Sequence, residues 1–323
     1  MTNNVYAFQI KNLTKKFDGI TAIAGITLNI ERGKIIGFIG PDGAGKTTLL
    51  RLLCGLYQPS SGSILLEDID ILKNPQKAKE RLGYMPQQFS LYGDLTVAEN
   101  LKFYADLYGL SHQKFKIRQE ELLDFSGLAP FANRLARNLS GGMQKKLALA
   151  CNLFHTPHIL LLDEPTTGVD PVSRRELWQL LLHLNRQGVT IIITTPYMDE
   201  SQKCHQVGLI YNGNILRFQP PQILIKEMAD EILELKIRDI RVREVLKEIP
   251  ALKNIYSFGE SFHLIFEAGT GGKKITEEYL KKKGIQVKSL KRIQPSFEDV
   301  FFSLVEKERK GDSPPSLKKN VGY

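Results

Sequence analysis

The stretch GPDGAGKT at residues 40–47 constrains the fold of this chain more than any other part of the sequence. It follows the apolar run KIIGFI at 34–39 and leads into TTLLRLLCGL at 47–56, whose leucines recur at helical spacing. Between a strand and a helix, glycines let the backbone curl so that its N–H groups and the helix N-terminus face a phosphate. The alternative is a Gly-rich turn that matches the motif by chance, but such a turn would not be expected to lie between a strand and a helix. We therefore predict a phosphate-binding loop in an α/β fold.

Two side chains of this loop carry the predicted chemistry. Lys46 is expected to reach the β- and γ-phosphates of a nucleotide, and the hydroxyl of Thr47 is expected to ligate Mg²⁺. The predicted nucleotide-binding residues of the loop are Gly40, Pro41, Asp42, Gly43, Ala44, Gly45, Lys46, Thr47 and Thr48.

Residues 1–220 alternate short apolar runs with helical stretches, which is typical of an α/β domain with a largely parallel sheet. HILLLD at 158–163 and TIIITT at 190–195 resemble strands that are covered on both faces. From about 88 to 140, apolar residues recur every three or four positions. This part predicts a helical subdomain inserted into the α/β domain.

A second, smaller domain is predicted after the QPPQ break at 219–222. Residues 221–306 read in the order strand, helix, hairpin, helix, strand and a last amphipathic helix. That order predicts a small α+β domain of ferredoxin-like type. The polar stretch 307–323, which contains prolines and lysines, predicts a disordered tail.

The composition leaves several partner classes open. The formal net charge of +9 is compatible with nucleic acid, with an anionic membrane surface, or simply with solubility. The longest apolar stretches are far shorter than the ~20 residues of a membrane helix. The isolated Cys54, Cys151 and Cys204 favour a reducing, cytosolic compartment and suggest neither a disulfide framework nor a zinc site.

The sequence ILLLDEP at 159–165 ends a predicted buried strand with two carboxylates. Asp163 is placed to hold Mg²⁺, directly or through water. Glu164 points elsewhere by strand alternation and is placed to polarise a water molecule for attack on the γ-phosphate. Acidic residues at an ordinary strand–loop junction are the alternative, which the nearby phosphate loop disfavours.

The stretch NLSGGMQKKLALACNLF at 138–154 predicts a helix that is capped by Ser140. Gly141 and Gly142 leave backbone N–H groups open in the first turn, so this helix start could also dock on a phosphate. Glycines that serve only tight packing are the alternative. A second phosphate site is useful if it serves a nucleotide held by another subunit.

These motifs together resemble the ATP-binding subunits of ABC transporters. LSGGMQ lies about twenty residues before LLLDEP, with GPDGAGKT upstream. Phe17 matches the aromatic residue that stacks on adenine, Gln87 matches the glutamine that senses the γ-phosphate and Mg²⁺, and Asp170 of GVDP matches a residue that contacts the opposing subunit. The ending PSFEDVFFSLV and YMPQ…LYGDLTVAEN are similar to ABC-2-type drug-resistance exporters, and the phosphate loop is similar to the first half of tandem-ATPase members.

The resemblance implies a P-loop NTPase core that binds ATP with Mg²⁺ held by Thr47, Gln87 and Asp163, and that hydrolyses ATP with Lys46, Gln87 and Glu164. It also implies that two such domains dimerise, as a homodimer or a heterodimer. A separate ABC-2-type permease is then expected, with this chain on the cytoplasmic face of the membrane and no nucleic acid partner. The residues expected to contact the partner's ATP are Leu139, Ser140, Gly141, Gly142, Met143 and Gln144.

One position departs from the family pattern. The strand after the Asp–Glu pair usually ends in a histidine that contacts the γ-phosphate, and here Pro196 stands in its place. Proline offers neither a side-chain donor nor a backbone N–H. His205, nine residues on, is expected to be a poor substitute. Either Pro196 merely ends a strand and hydrolysis survives more slowly, or this site binds ATP but turns it over poorly.

Two other functions remain as alternatives. A soluble ABC ATPase that acts on nucleic acid or ribosomes is compatible with the basic charge, although such proteins carry two cassettes or long coiled coils. The other alternative is a regulatory subunit that uses ATP as a clamp with little turnover. It makes the same prediction as the impaired-site hypothesis, namely ATP binding with slow hydrolysis. The sequence does not name the transported substrate or a role for the C-terminal domain.

Overall fold

A computed structural model describes residues 5–88, 91–237 and 243–309 of the chain. Within these residues the chain forms two compact units, and the division falls between Pro220 and Pro221. Each unit has its own sheet or sheets and its own core.

The first unit contains ten strands and six α-helices in the described part of the chain. The strands are β1 Tyr6–Phe17, β2 Ile20–Glu31, β3 Ile35–Ile39, β4 Ser61–Leu66, β5 Ile69–Asp70, β6 Leu82–Met85, β7 Ile159–Asp163, β8 Thr190–Thr195, β9 Gln206–Tyr211 and β10 Asn214–Gln219. The helices are α1 Lys46–Leu53, α2 Pro75–Lys79, α3 Val97–Leu107, α4 His112–Ser126, α5 Gly141–Cys151 and α6 Pro171–Arg186.

The core sheet has the strand order β10-β9-β3-β8-β7-β6. Its strands from β9 to β6 are parallel, and only β10 runs antiparallel to its neighbour. Every residue of β3, β7 and β8 is buried, as the continuous apolar runs predicted. Because β8 lies between β3 and β7, the carboxyl ends of these strands bring the phosphate loop, Asp163 and Pro196 to one edge of the sheet.

A second sheet, which sequence analysis did not separate from the core, is antiparallel with the order β2-β1-β4-β5. Register shifts interrupt the pairing of β1 with both β2 and β4, so the strands lack a clean alternating pattern. Phe8 and Ile23 of this sheet pack in one core with Leu49 of α1 and Phe38 of β3. This packing fixes the helix that follows the phosphate loop.

The predicted helical stretch forms α3 and α4 and leads into α5. Thr96 begins α3 with a capping box, because its hydroxyl accepts from the backbone N–H of Glu99 and the Glu99 carboxylate accepts from the N–H of Thr96. The fully buried Asn100 donates to three carbonyls of residues 92–96 and accepts from the N–H of Tyr92. These hydrogen bonds fix the conformation of residues 92–96, directly before α3.

The second unit has a ferredoxin-like topology, as the order of its elements predicted. Its four-stranded sheet has the order β12 (Leu252–Phe258), β13 (Ser261–Phe266), β11 (Glu231–Ile237) and β14 (Val287–Ile293), and all neighbours are antiparallel. Leu233, Leu264 and Leu280 belong to the main core of this unit, and Ile232 with Ile265 forms a smaller cluster. The elements are α7 Pro221–Glu227, β11 Glu231–Ile237, α8 Arg243–Leu246, β12 Leu252–Phe258, β13 Ser261–Phe266, α9 Gly272–Lys282, β14 Val287–Ile293 and α10 Phe297–Arg309.

Helix α10 corrects the start of the predicted tail at 307. The helix continues to Arg309, and Lys307 and Arg309 in its last turn are favourable next to the negative end of the helix dipole. The rest of the predicted tail, 310–323, lies outside the described residues.

Candidate functional site

The phosphate loop curls around the side chain of Lys46. Its ammonium donates to the carbonyl of Gly40 at 2.9 Å and to that of Pro41 at 3.1 Å, and the side chain is only 4% exposed. Gly45 has a φ of 106°, and a Cβ there would lie 2.6 Å from the carbonyl oxygen of Ala22. Glycine is therefore required by both conformation and space, and the loop leads directly into α1.

Asp163 lies at the end of β7, opposite the first turn of α1. Its Oδ1 accepts from the hydroxyl of Thr47 at 3.0 Å and from that of Thr194 at 2.7 Å. Its Oδ2 is buried and has no hydrogen-bond partner among the described residues. A buried carboxylate oxygen beside a threonine hydroxyl fits a hard cation such as Mg²⁺, which prefers oxygen ligands. Thr47 and Asp163 therefore fit the predicted metal-binding role.

Glu164 follows β7 in a left-handed conformation, with a φ of 46°. Its backbone N–H donates to the carbonyl and to the hydroxyl of Thr194, which holds this uncommon conformation. Its side chain is turned toward the phosphate loop: Oε1 lies 3.1 Å from the ammonium of Lys46, and Oε2 accepts from Gln87 at 2.9 Å and from Thr167 at 3.3 Å. The turn of the backbone, more than strand alternation, separates Glu164 from Asp163.

A cavity of about 550 Å³ lies beside Lys46, Thr47 and Glu164. Its size lies within the range of cofactor and ligand pockets, roughly 300–1,000 Å³. It is lined by Ala22, Asp42, Gly43, Gly45, Lys46, Thr47, Thr48, Gln87, Glu164, Thr167, Pro196 and Tyr197.

The predicted adenine-stacking residue, Phe17, is not among the residues that line this cavity. It ends β1 with about a third of its surface exposed, and its ring meets that of Tyr57 edge to face at 5.4 Å. The ammonium of Lys15 lies 4.7 Å from the centre of the same ring.

The predicted signature helix, α5, begins where the sequence placed it. The hydroxyl of Ser140 accepts from the backbone N–H of Met143, and Ser140 and Gly141 are exposed. Gly142 fits the alternative that glycine is needed here for tight packing. A Cβ at this position would lie 2.3 Å from the Cβ of Ser173 in α6. Leu139 is buried, and the Gln144 side chain donates to the carbonyl of Ala136. The open end of the helix is therefore the pair Ser140–Gly141.

Asp170 caps α6 and is exposed. Its carboxylate accepts from the backbone N–H groups of Val172 and Ser173, each at 3.0 Å. Hydrogen bonding by Ser173 lowers the pKa of the Asp170 carboxyl below its usual range. A carboxylate that stays charged at a helix N-terminus is stabilised by the helix dipole.

Pro196 directly follows β8 and lines the cavity. His205 does not compensate. Its ring Nδ1 accepts from the backbone N–H of Ile35, at the first residue of β3. Since the phosphate loop follows the other end of β3, His205 lies at the opposite edge of the sheet.

Sequence analysis missed two basic residues near the site. Lys145 of α5 donates to the backbone carbonyl of Gln87 at 2.6 Å. Burial lowers the pKa of the Lys145 ammonium, while the carboxylates of Asp163 and Glu164 oppose that shift. Arg174 of α6 donates to Asp199 and to the fully buried Glu200, and its guanidinium lies 4.5 Å from the ring centre of Tyr197. The sequence indicates only that Lys145 and Arg174 are positively charged. Their partners could not be predicted, because each contact joins segments that are distant in the sequence.

The site combines a phosphate-binding loop with the buried ammonium of Lys46 and two carboxylates. Asp163 has an oxygen suited to bind a metal ion, and Glu164 is suited to orient a water molecule. Parallel strands deliver all of them to one sheet edge. This combination defines a P-loop nucleoside-triphosphate-binding protein of the ATPase class.

Comparisons with known proteins narrow this class. Residues 23–167 match the family model described as ABC transporter. The chain is 40% identical over 311 residues to the probable multidrug ABC transporter ATP-binding protein YbhF of Escherichia coli (strain K12), covering 94% of this chain and 53% of that protein. It is 30% identical over 310 residues to the daunorubicin/doxorubicin resistance ATP-binding protein DrrA of Streptomyces peucetius, covering 94% and 93%. The chain belongs to the family of ABC transporter ATP-binding proteins. It spans about half the length of YbhF.

A solved structure agrees with the fold. The ATP-binding cassette MJ0796, solved as a dimer in a post-hydrolysis state with bound ADP and phosphate, superposes with a TM-score of 0.61 and 29% identity. The match covers 66% of this chain and 98% of that one. The predicted P-loop NTPase core is thereby confirmed. In the described part of this chain, no helix has the length and apolar character needed to span a membrane.

Proposed function

We propose that this chain is an ATP-binding and ATP-hydrolysing subunit that powers export by a separate ABC-2-type membrane permease. The observation that carries the proposal is the convergence of Lys46, Glu164 and Gln87 on one cavity of nucleotide size. Thr47 lines the same cavity and donates to the buried Asp163. The relatives' names support the transport assignment, since YbhF and DrrA are named for multidrug transport and drug resistance. On this assignment the chain works at the cytoplasmic face of the membrane.

The chain's own residues divide the work of hydrolysis. Lys46 and the backbone of the phosphate loop would hold the β- and γ-phosphates, and Thr47 and Asp163 would hold Mg²⁺. Gln87 lines the same cavity and is a further candidate ligand. Bound Mg²⁺ supplies neutralisation of the phosphate charge. Glu164 orients a water molecule in line with the γ-phosphate and takes its proton. Gln87, whose side chain holds Glu164 at 2.9 Å, sets the direction of that carboxylate.

A second ATPase subunit completes each site in this proposal. The exposed Ser140 and Gly141 at the start of α5 offer a hydroxyl and N–H groups to the nucleotide of a partner. We assign the exposed Asp170 to a contact with the same partner. The MJ0796 cassette is described as a dimer, which supports this arrangement.

In this proposal Pro196 slows ATP hydrolysis at this chain's own site relative to the other ATP site of the dimer. Loss of one contact that stabilises charge in the transition state typically costs about 10²–10³ in rate. A homodimer would carry that loss twice. A heterodimer with a histidine-bearing ATPase would keep one competent site, completed by Ser140 and Gly141 of this chain.

The permease surface is proposed on the helical part near Gln87. Tyr92 is 51% and Leu107 67% exposed, and the rings of Tyr92 and Phe103 meet at 4.6 Å. An exposed apolar and aromatic group of this kind suits a protein partner. Tyr92 follows Gln87 by only five residues in the sequence, which supports a link between this proposed surface and the residue that holds Glu164.

A second candidate is a subunit that uses ATP as a clamp with little turnover, which the cavity-lining Pro196 favours. Action on nucleic acid or ribosomes is not favoured, because YbhF and DrrA are named as ATP-binding proteins of transport and drug resistance.

The test separates these functions by purification and turnover. Tagged chain extracted with detergent is expected to recover a multi-spanning membrane protein and a second ATPase. Purified chain is expected to bind MgATP and to hydrolyse it slowly alone, and faster when mixed with that ATPase. Recovery of ribosomes or DNA instead of a membrane protein would overturn the transport proposal. Binding without turnover, even in the mixture, would establish the clamp.

A further inference from the structure

Lys145 connects the start of α5 with the segment of Gln87. In the proposed function, the start of α5 contacts the partner's nucleotide, and Gln87 lies at this chain's own nucleotide. Lys145 lies four residues after Gly141, near the start of α5. Its ammonium donates at 2.6 Å to the backbone carbonyl of Gln87, which follows β6 of the core sheet. The side chain of the same Gln87 donates at 2.9 Å to Glu164. One short chain of contacts therefore joins the exposed start of α5 to the carboxylate in this chain's own cavity.

The neighbouring side chains of α5 point to other parts of the unit. Lys146 pairs with Glu176 of α6, and Gln144 donates to the carbonyl of Ala136. Lys145 is thus the residue of this turn that reaches the segment of Gln87. A lysine hydrogen bond to a carbonyl is charge-assisted, and so it is stronger than a bond between neutral groups.

We propose that Lys145 is a positioning residue that couples the two sites of the dimer. When Ser140 and Gly141 dock on the partner's nucleotide, α5 is held in place, and Lys145 then holds the backbone of Gln87. Gln87 in turn keeps Glu164 directed at this chain's own nucleotide. The inference rests on the proposed function, because it requires a partner nucleotide at the start of α5.

The test compares three variants of the full chain. Lys145→Met keeps the aliphatic length and removes the donors, and Lys145→Arg keeps a cation with donors. Lys114→Met is the matched control, because Lys114 is exposed on α4. Each is measured for MgATP affinity, for kcat and KM of hydrolysis, and for hydrogen–deuterium exchange of the peptide 82–88 with and without MgATP.

We expect Lys145→Met to lower kcat about fivefold or more while the Kd for MgATP stays within about twofold. MgATP should slow exchange in peptide 82–88 of the wild type, and Lys145→Met should lose at least about half of that protection. Lys145→Arg should restore both properties, and Lys114→Met should leave both unchanged. Rescue by arginine distinguishes positioning from a general loss of packing.

Two failures have different meanings. If the wild type binds MgATP and Lys145→Met keeps both its protection and its kcat, the coupling by Lys145 is overturned while the proposed function stands. The exchange measurement decides this even where turnover of the wild type is slow. If the wild type does not bind MgATP, the proposed function is overturned and this inference with it.

Discussion

The ammonium of Lys46 lies 3.1 Å from Oε1 of Glu164, and the two side chains are only 4% and 6% exposed. The same ammonium donates to two carbonyls of the phosphate loop. An incoming γ-phosphate competes with Glu164 for this cation, because both are anions within reach of one donor. Nucleotide binding is therefore expected to release Glu164 from Lys46 and to leave its carboxylate for a water molecule.

Lys46→Met is expected to weaken MgATP binding and to destabilise the first unit. Loss of a charged donor to phosphate should lower affinity about tenfold to a hundredfold. The buried Glu164 would lose its cation, which costs about 3–5 kcal/mol when one partner of a buried pair is removed. Urea unfolding and nucleotide titration measure the two effects. In the double variant Lys46→Met, Glu164→Gln, much of the stability should return, and additive losses would contradict the pairing.

Glu164→Gln is expected to separate binding from hydrolysis. Glutamine keeps the size of the side chain but cannot take a proton from water. The kcat should fall about 10²–10⁴-fold, while the Kd for MgATP stays within about tenfold. Thr167→Val is the comparison, because it removes only the 3.3 Å hydrogen bond to Glu164. A Glu164→Gln variant with near wild-type kcat would remove Glu164 from the catalytic role.

The parts of the site that sequence could predict are those whose chemistry is encoded locally. GPDGAGKT specifies its own loop, and the apolar run before Asp163 specifies the buried strand that carries it. The left-handed backbone of Glu164 was not predictable, since Thr194 of another strand holds it. The Lys145–Gln87 contact joins residues 58 positions apart and depends on how α5 packs. The antiparallel sheet was not predicted, because register shifts interrupt the pairing of β1 and it lacks a clean alternation of apolar and polar residues.

Arg174→Met is expected to destabilise the segment that follows Pro196. Glu200 is fully buried and receives hydrogen bonds from Arg174 at 2.8 Å and from Trp178 at 2.9 Å. Without the guanidinium, the indole of Trp178 is the one donor left to this carboxylate among the described residues. The free energy of unfolding should then fall by about 3 kcal/mol. Arg175→Met, at an exposed position on the same helix, should change it by less than about 0.5 kcal/mol. Equal effects of the two substitutions would contradict this role.

The second unit is expected to lose stability in acid through Asp299. Burial raises the pKa of this carboxyl, but hydrogen bonds from His263 and Ser296 outweigh burial and hold the pKa below its usual range. A lowered folded-state pKa gives stability that is fully present above the unfolded pKa, about 3.9. That stability is lost as pH falls through the folded pKa. Unfolding measured from about pH 6 to about pH 2 should show this loss below about pH 4, and Asp299→Asn should reduce the slope. An unchanged slope would contradict the assignment.

Pro196→His is expected to speed ATP hydrolysis by the purified chain. Pro196 lines the cavity, so an imidazole at this position can reach the γ-phosphate and the attacking water. Restoring one charge-stabilising contact should raise kcat by about 10²-fold with little change in the Kd for MgATP. His205→Ala is the control and should leave kcat unchanged, because the His205 ring accepts from Ile35 at the far end of β3. Fast ATP hydrolysis by the unmodified chain alone, with no further increase in Pro196→His, would contradict the impaired-site hypothesis. It would also remove the reason to expect a histidine-bearing ATPase as partner.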